Sequence, residues 1–150
     1  MRKAILAAFS LLFIATPAVA ADGVINVPST FSVEETADRL ESILSEKGMT
    51  VFTRIQHSEA AARAGIELRE TELVLFGNPK VGSPLMKCQQ SVAIDLPQKA
   101  LVWKDDRAKV WISYNDPRYL EKRHSISGCE AFIAKIETAL ARIAKSASMK

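Results

Sequence analysis

The chain holds two cysteines and two histidines, namely Cys88, Cys129, His57 and His124. These are the side chains best suited to nucleophilic, redox or metal chemistry. An even cysteine pair in an oxidising compartment points to a disulfide. A bridge closing a loop of roughly 40 residues would stabilise by about 4 kcal/mol on the chain-entropy account. Cys129 has a second reading. It falls at the second position of a helix expected to open at Ser127, where the helix dipole favours a thiolate that could react or bind a metal. A third is that both thiols are buried and inert. The two cysteines and two histidines together would make a His2Cys2 zinc or copper site, but their spacings fit no short metal motif. No Ser/His/Asp order, GxSxG, HExxH or paired-carboxylate motif is present, and no motif implies a cofactor.

The other candidate is the stretch LFGNPKVGSPLMKCQQ, Leu75 to Gln90. Gly77 and Asn78 accept positive φ and Pro79 fixes its own, so a tight turn is expected there. Ser83-Pro84 is a cap-then-proline pattern and predicts a short helix from Leu85 to Gln90. That leaves Lys80-Val81-Gly82 at a tip beside a helix N-terminus, where an anion could rest. The P-loop order GxxxxGK[ST] is absent, and a plain strand-to-helix turn explains the same glycines and prolines.

These residues need elements to position them. Gly23 to Val27 reads as a first strand. Ser32 with Glu35 forms a capping box, and Val33, Ala37, Leu40 and Leu44 give one apolar helix face, closed by Lys47 and Gly48. Met49 to Gln56 reads as a strand, Glu59 to Ala64 as a helical turn ending at Gly65, and Thr71 to Phe76 as a buried strand. Ala100 to Trp103 and Lys109 to Tyr114 make a hairpin around Lys104 to Ala108, with Trp103 and Trp111 as cross-strand partners. Asp116-Pro117 starts a short helix. Ser127 with Glu130 is a second capping box, opening a helix with Phe132, Ile133, Ile136, Leu140 and Ile143 on its apolar face. Ser146 to Lys150 reads as a frayed tail. Two long helices and about five strands without regular alternation predict an α+β fold, a mostly antiparallel sheet with the helices on one face.

The first twenty residues read as a leader. Arg2 and Lys3 precede an apolar run from Ala4 to Ala15, and Ala18-Val19-Ala20 is a small-x-small cleavage pattern. The run is too short for a stable membrane span. The expectation is therefore cleavage after Ala20, a soluble periplasmic or secreted protein, and no membrane insertion afterwards. Loss of Arg2 and Lys3 lowers Lys+Arg from 20 to 18 against 17 Asp+Glu. A nearly neutral chain argues against a nucleic-acid partner. The remaining 130 of 150 residues suit one domain over 21–150.

Several runs in order resemble a known family. They are Arg54-Ile-Gln-His57, Ala60-Ala-Ala-Arg-Ala-Gly65, Leu75-Phe-Gly-Asn-Pro-Lys80, Gly82-Ser-Pro-Leu-Met86, Ile94-Asp-Leu-Pro97 and Val110-Trp-Ile-Ser-Tyr-Asn115. Across about Val27 to Ala144 the chain resembles the domain of unknown function 302. The resemblance implies a compact domain of TATA-binding-protein-like shape, β-α-β4-α, and often a homodimer. It implies no agreed activity, and shape alone does not make a DNA binder. The family pattern does not demand cysteine at position 88 or 129, which favours a structural bridge suited to an exported member.

The leading functional expectation is a non-enzymatic periplasmic module for a small ligand or partner protein. Its site would combine His57, Asn78, Lys80, Ser83 and Met86, with His57 and Asn78 giving hydrogen bonds and Lys80 holding an acidic group. The alternative is a thiol, redox or metal protein using Cys88, Cys129 and a histidine. A homodimer through the hairpin aromatics is the third.

Overall fold

The computed structural model describes residues 22–150. The expected leader and its cleavage point lie outside the described residues. Five strands form one antiparallel sheet: β1 (Val24–Ser29), β2 (Thr50–Gln56), β3 (Thr71–Gly77), β4 (Gln98–Lys104) and β5 (Val110–Asn115). Their spatial order is β1-β5-β4-β3-β2. Five helices accompany them: α1 (Val33–Glu46), α2 (His57–Arg63), α3 (Pro79–Cys88), α4 (Pro117–Arg123) and α5 (Glu130–Ser148). A 3-10 turn, Gln90–Asp95, links α3 to β4.

The core lies between one sheet face and the long helices α1 and α5. Because strand side chains alternate, Val74, Phe76, Ala100, Val102, Ile112 and Tyr114 all point at the helices and are buried. Val33, Ala37, Leu40 and Leu44 of α1 meet them, as do Ile133, Ile136, Leu140 and Ile143 of α5. The Ser32 hydroxyl accepts the Glu35 N–H at 3.1 Å, and Gly48 takes the left-handed stop at φ 68°. Asp116 caps α4 by accepting from the Arg118 N–H at 2.8 Å, with Pro117 at the first position.

Among the described residues no long helix lies over the other sheet face. Register pairs Leu73 with Leu101 and Trp103 with Trp111, as the hairpin pattern predicts. The indole of Trp103 donates to Ser113 Oγ at 2.7 Å, and Ser113 donates to Asn26 Oδ1 at 2.6 Å. Both tryptophans thus keep an apolar body on the sheet surface and a satisfied polar end.

Three expectations need correction. The glycine- and proline-rich stretch is not an open loop, because α3 starts at Pro79 and runs through Pro84 to Cys88. Asn78-Pro79 and Ser83-Pro84 are competing cap-then-proline signals, and the earlier one wins. Asn78 accepts the Lys80 N–H at 2.9 Å and donates from Nδ2 to the Gly48 carbonyl at 3.0 Å, so it is tied to both its own helix and the end of α1. The second correction concerns α5. Its N-cap is Cys129, not Ser127. Gly128 turns left-handed at φ 76°, and Glu130 reaches back to accept the Gly128 N–H at 2.8 Å. The third is the C-terminal tail, which is helical to Ser148. The Ser148 carbonyl accepts the Thr30 N–H at 3.0 Å, and Arg39 donates to the carbonyls of Ala147 and Met149 at 3.1 and 2.9 Å. A cation against the last carbonyls of a helix is the arrangement its dipole favours.

Candidate functional site

The main cleft opens where β3 passes into α3. Its volume is about 410 Å³, within the usual span for small-ligand sites. Met49 and Phe52 line it from the β2 side, and Val81 and Met86 from α3. Leu96 closes it beyond the 3-10 turn, with Ile136 of α5 behind. Only Asn78, Ser83 and Gln98 add polar side chains to the wall. Phe52 is 55% exposed and leans over Gly77, where an added Cβ would come within 3.2 Å of its ring. That close approach is why the strand ends in glycine.

The structure brings together part of the expected set. Asn78, Ser83 and Met86 all line the cleft. His57 does not. It is exposed at the start of α2, just past the opposite end of β2, whose six steps from Thr50 to Gln56 span about 20 Å. Lys80 is also exposed and outside the lining, because a helical turn carries it away from the groove. The expected pairing of His57 with the 77–86 segment is therefore not formed, and among the described residues no cation lines the cleft. Asn78 already uses both its oxygen and its nitrogen in capping. The groups left to face a ligand are mostly apolar.

Cys88 and Cys129 come within disulfide distance, their Cα atoms 6.5 Å apart. The pair joins the end of α3 to the start of α5, two walls of the cleft. This separates them from a His2Cys2 site. His124 instead lies between Ser91 and Asp95. Among the described residues no three of His, Cys, Asp and Glu gather as metal ligands. The sequence pointed to the segment 77–86 through its glycines and prolines. It gave no signal for Met49, Phe52, Leu96 or Ile136, which reach the cleft only through sheet pairing and helix packing.

A family profile for "Domain of unknown function DUF302" matches residues 25–143. The chain belongs to this family. It is 44% identical over 104 residues to a protein of Brucella suis biovar 1 named fluoride-specific ion channel FluC 1, covering 69% of this chain and 41% of that protein. It has the same identity to fluoride-specific ion channel FluC 2 of Brucella melitensis biotype 1, covering 38% of it. The chain thus spans about two fifths of the length of these relatives. Among solved structures, an uncharacterized conserved DUF302 protein from Bacillus stearothermophilus superposes with a TM-score of 0.77 at 21% identity. The match covers 85% of this chain and 99% of that one. This DUF302 likeness shows a shared fold. It carries no activity with it.

Proposed function

We propose that this DUF302 domain is an exported module that binds a small, largely apolar ligand in the cleft beneath α3. The observation behind the reading is the cleft itself: about 410 Å³, apolar walls and three polar side chains. A few polar groups in an otherwise apolar hollow are what orient a ligand that is held by burial. Ser83 and Gln98 are the side chains free to do so. Gly82 is the natural place to test it. A Cβ there would meet Leu96 Cδ1 at 3.7 Å, ordinary contact, so a larger side chain fits the helix while filling the groove. The protein isolated untagged from its native compartment should show added mass in a native mass spectrum. It should also bind 1-anilinonaphthalene-8-sulfonate, and Gly82→Leu should lose that binding while keeping its circular dichroism. A bare polypeptide mass together with dye binding unchanged in Gly82→Leu would sink the reading.

A second reading has its own observation, the uncovered sheet face with Leu73, Leu101, Trp103 and Trp111. This face suits a partner protein or a second copy of the chain. The Brucella relatives give it one form. Their name is that of an ion channel, and no helix among the described residues here is long and apolar enough to cross a membrane. A domain of this kind would meet a channel as a flanking unit. For a homodimer, light scattering should give twice the chain mass, and Trp103→Glu should return it to one. A monomer at high concentration would remove the homodimer form.

A further inference from the structure

Ser91, His124 and Asp95 form a chain of hydrogen bonds that neither the cleft nor the uncovered sheet face uses. Ser91 Oγ lies 3.0 Å from His124 Nδ1. His124 Nε2 lies 2.6 Å from Asp95 Oδ2. The second carboxylate oxygen of Asp95 accepts from Arg123 at 3.3 Å, and its backbone carbonyl accepts from Lys99 Nζ at 2.9 Å. The His124 side chain is 7% exposed and that of Asp95 12%, while Ser91 is open to solvent. The three residues come from the 3-10 turn and the end of α4, 33 positions apart at the widest. This explains why no linear motif announced them.

From this geometry we infer that Ser91 is an activated nucleophile for acyl transfer from simple carboxylic esters. A carboxylate only accepts. With neutral His124 the ring proton therefore sits on Nε2, facing Asp95, and Nδ1 is left to accept the Ser91 hydroxyl. This is the nucleophile–base–orienting order of the serine hydrolases with the two ring nitrogens exchanged. A structural reading requires only the His124–Asp95 bond. An exposed hydroxyl finds water without a buried imidazole beside it.

The steps balance. Ser91 Oγ attacks the ester carbonyl carbon and its proton passes to His124 Nδ1. The C–O bond to the alcohol breaks, and the leaving alkoxide takes that proton. Water then attacks the acyl-serine, giving its proton to Nδ1 and releasing a carboxylic acid as Ser91 regains its hydrogen. The sum is ester plus water to acid plus alcohol. Ser91 is outside the cleft lining and open to solvent. The matching substrates are esters with short, unhindered acyl groups. Asp95 acts as a positioning residue, since it touches only His124 and its basic neighbours.

The test uses the full chain with its cysteines paired, a fluorophosphonate probe and p-nitrophenyl acetate. One phosphonate adduct per folded chain should map to Ser91 and vanish in Ser91→Ala, an exposed change that leaves the fold alone. His124→Gln should slow both labelling and ester turnover by about 100-fold or more, the usual worth of a general base. Asp95→Asn should slow labelling too, while leaving the probe's site of attachment unchanged. No adduct on the folded native chain would overturn the inference. So would an adduct whose rate is the same in a folded His124→Gln variant.

Discussion

Asp105 shows how one side chain can organise a turn. Its carboxylate accepts the Trp111 indole N–H at 2.8 Å and the backbone N–H groups of Lys109 and Arg107 at 2.8 and 2.9 Å. The Trp111 bond is the largest of the effects that hold its pKa below the ordinary carboxylate value, assisted by the two backbone bonds and the charge of Arg107 and opposed by desolvation. A depressed folded pKa means the contribution is fully present above the unfolded value and is lost as pH falls through the lower folded one. The Trp111 indole resonance and fluorescence should therefore change below about pH 4, and Asp105→Asn should abolish that titration. A Trp111 signal that is flat to pH 2 would contradict the arrangement. At this scale the sequence was only partly legible. The Trp103–Trp111 pairing follows from hairpin alternation, and the Asp116 cap from its proline. The exposed position of His57 and the bonds of His124 do not, because no local rule says which way a residue at an element's end will face.

At the scale of elements, β2 is fastened to α1 as well as to β3. Arg54 donates to Glu72 on β3 and to Asp38 on α1, each at 2.5 Å. Burial works against its charge, but the bonds to Glu72 and Asp38 outweigh it and hold its pKa above the ordinary value. Glu72 is 8% exposed, so removing the guanidinium strands a nearly buried carboxylate. Arg54→Met should destabilise by about 2 kcal/mol, less than a fully buried pair because the guanidinium keeps some solvent. Asp38→Asn, at an exposed side chain, should stay within about 0.5 kcal/mol. Urea denaturation of the two variants measures both, and equal losses would show that Glu72 is not the critical partner. α1, α4, β2 and β3 were legible because caps, stops and apolar spacing agree in each. α3 was not, since two cap-then-proline signals stand five residues apart and only the reach of Asn78 to Gly48, just past the end of α1, decides between them. The 3-10 turn had no sequence signal that separates it from coil.

At the scale of the molecule, the α+β class followed from counting strong elements, and the family resemblance implied the β-α-β4-α order. The cleft did not, because its walls come from β2, β3, α3 and α5. The Cys88–Cys129 pair spans 41 residues and links the smaller half of the domain, α3 and the 3-10 turn, to the helix that roofs the core. Formed as a disulfide, it should contribute about 4 kcal/mol through the unfolded chain. The double variant Cys88→Ser/Cys129→Ser should lose close to that amount in urea, and reductant should change the native protein but not the variant. Two free thiols in the denatured, unreduced protein would show the pair open and would restore the reactive-cysteine alternative.

The bonds that hold Ser148 against Thr30, and Arg39 against the last turn of α5, tie the segment after β1 to the far end of α5. Among the described residues β1 has a single sheet neighbour, β5, and α1 needs α5 above it to cover Leu40. A chain emerging N-terminus first therefore carries its opening strand without a mate for more than eighty residues (Val24 pairs with Asn115), and the seam closes only when Ser148 arrives. A truncation inside α5 would keep β1 paired with β5 but would remove the Ser148–Thr30 bond and part of the helix over the core together.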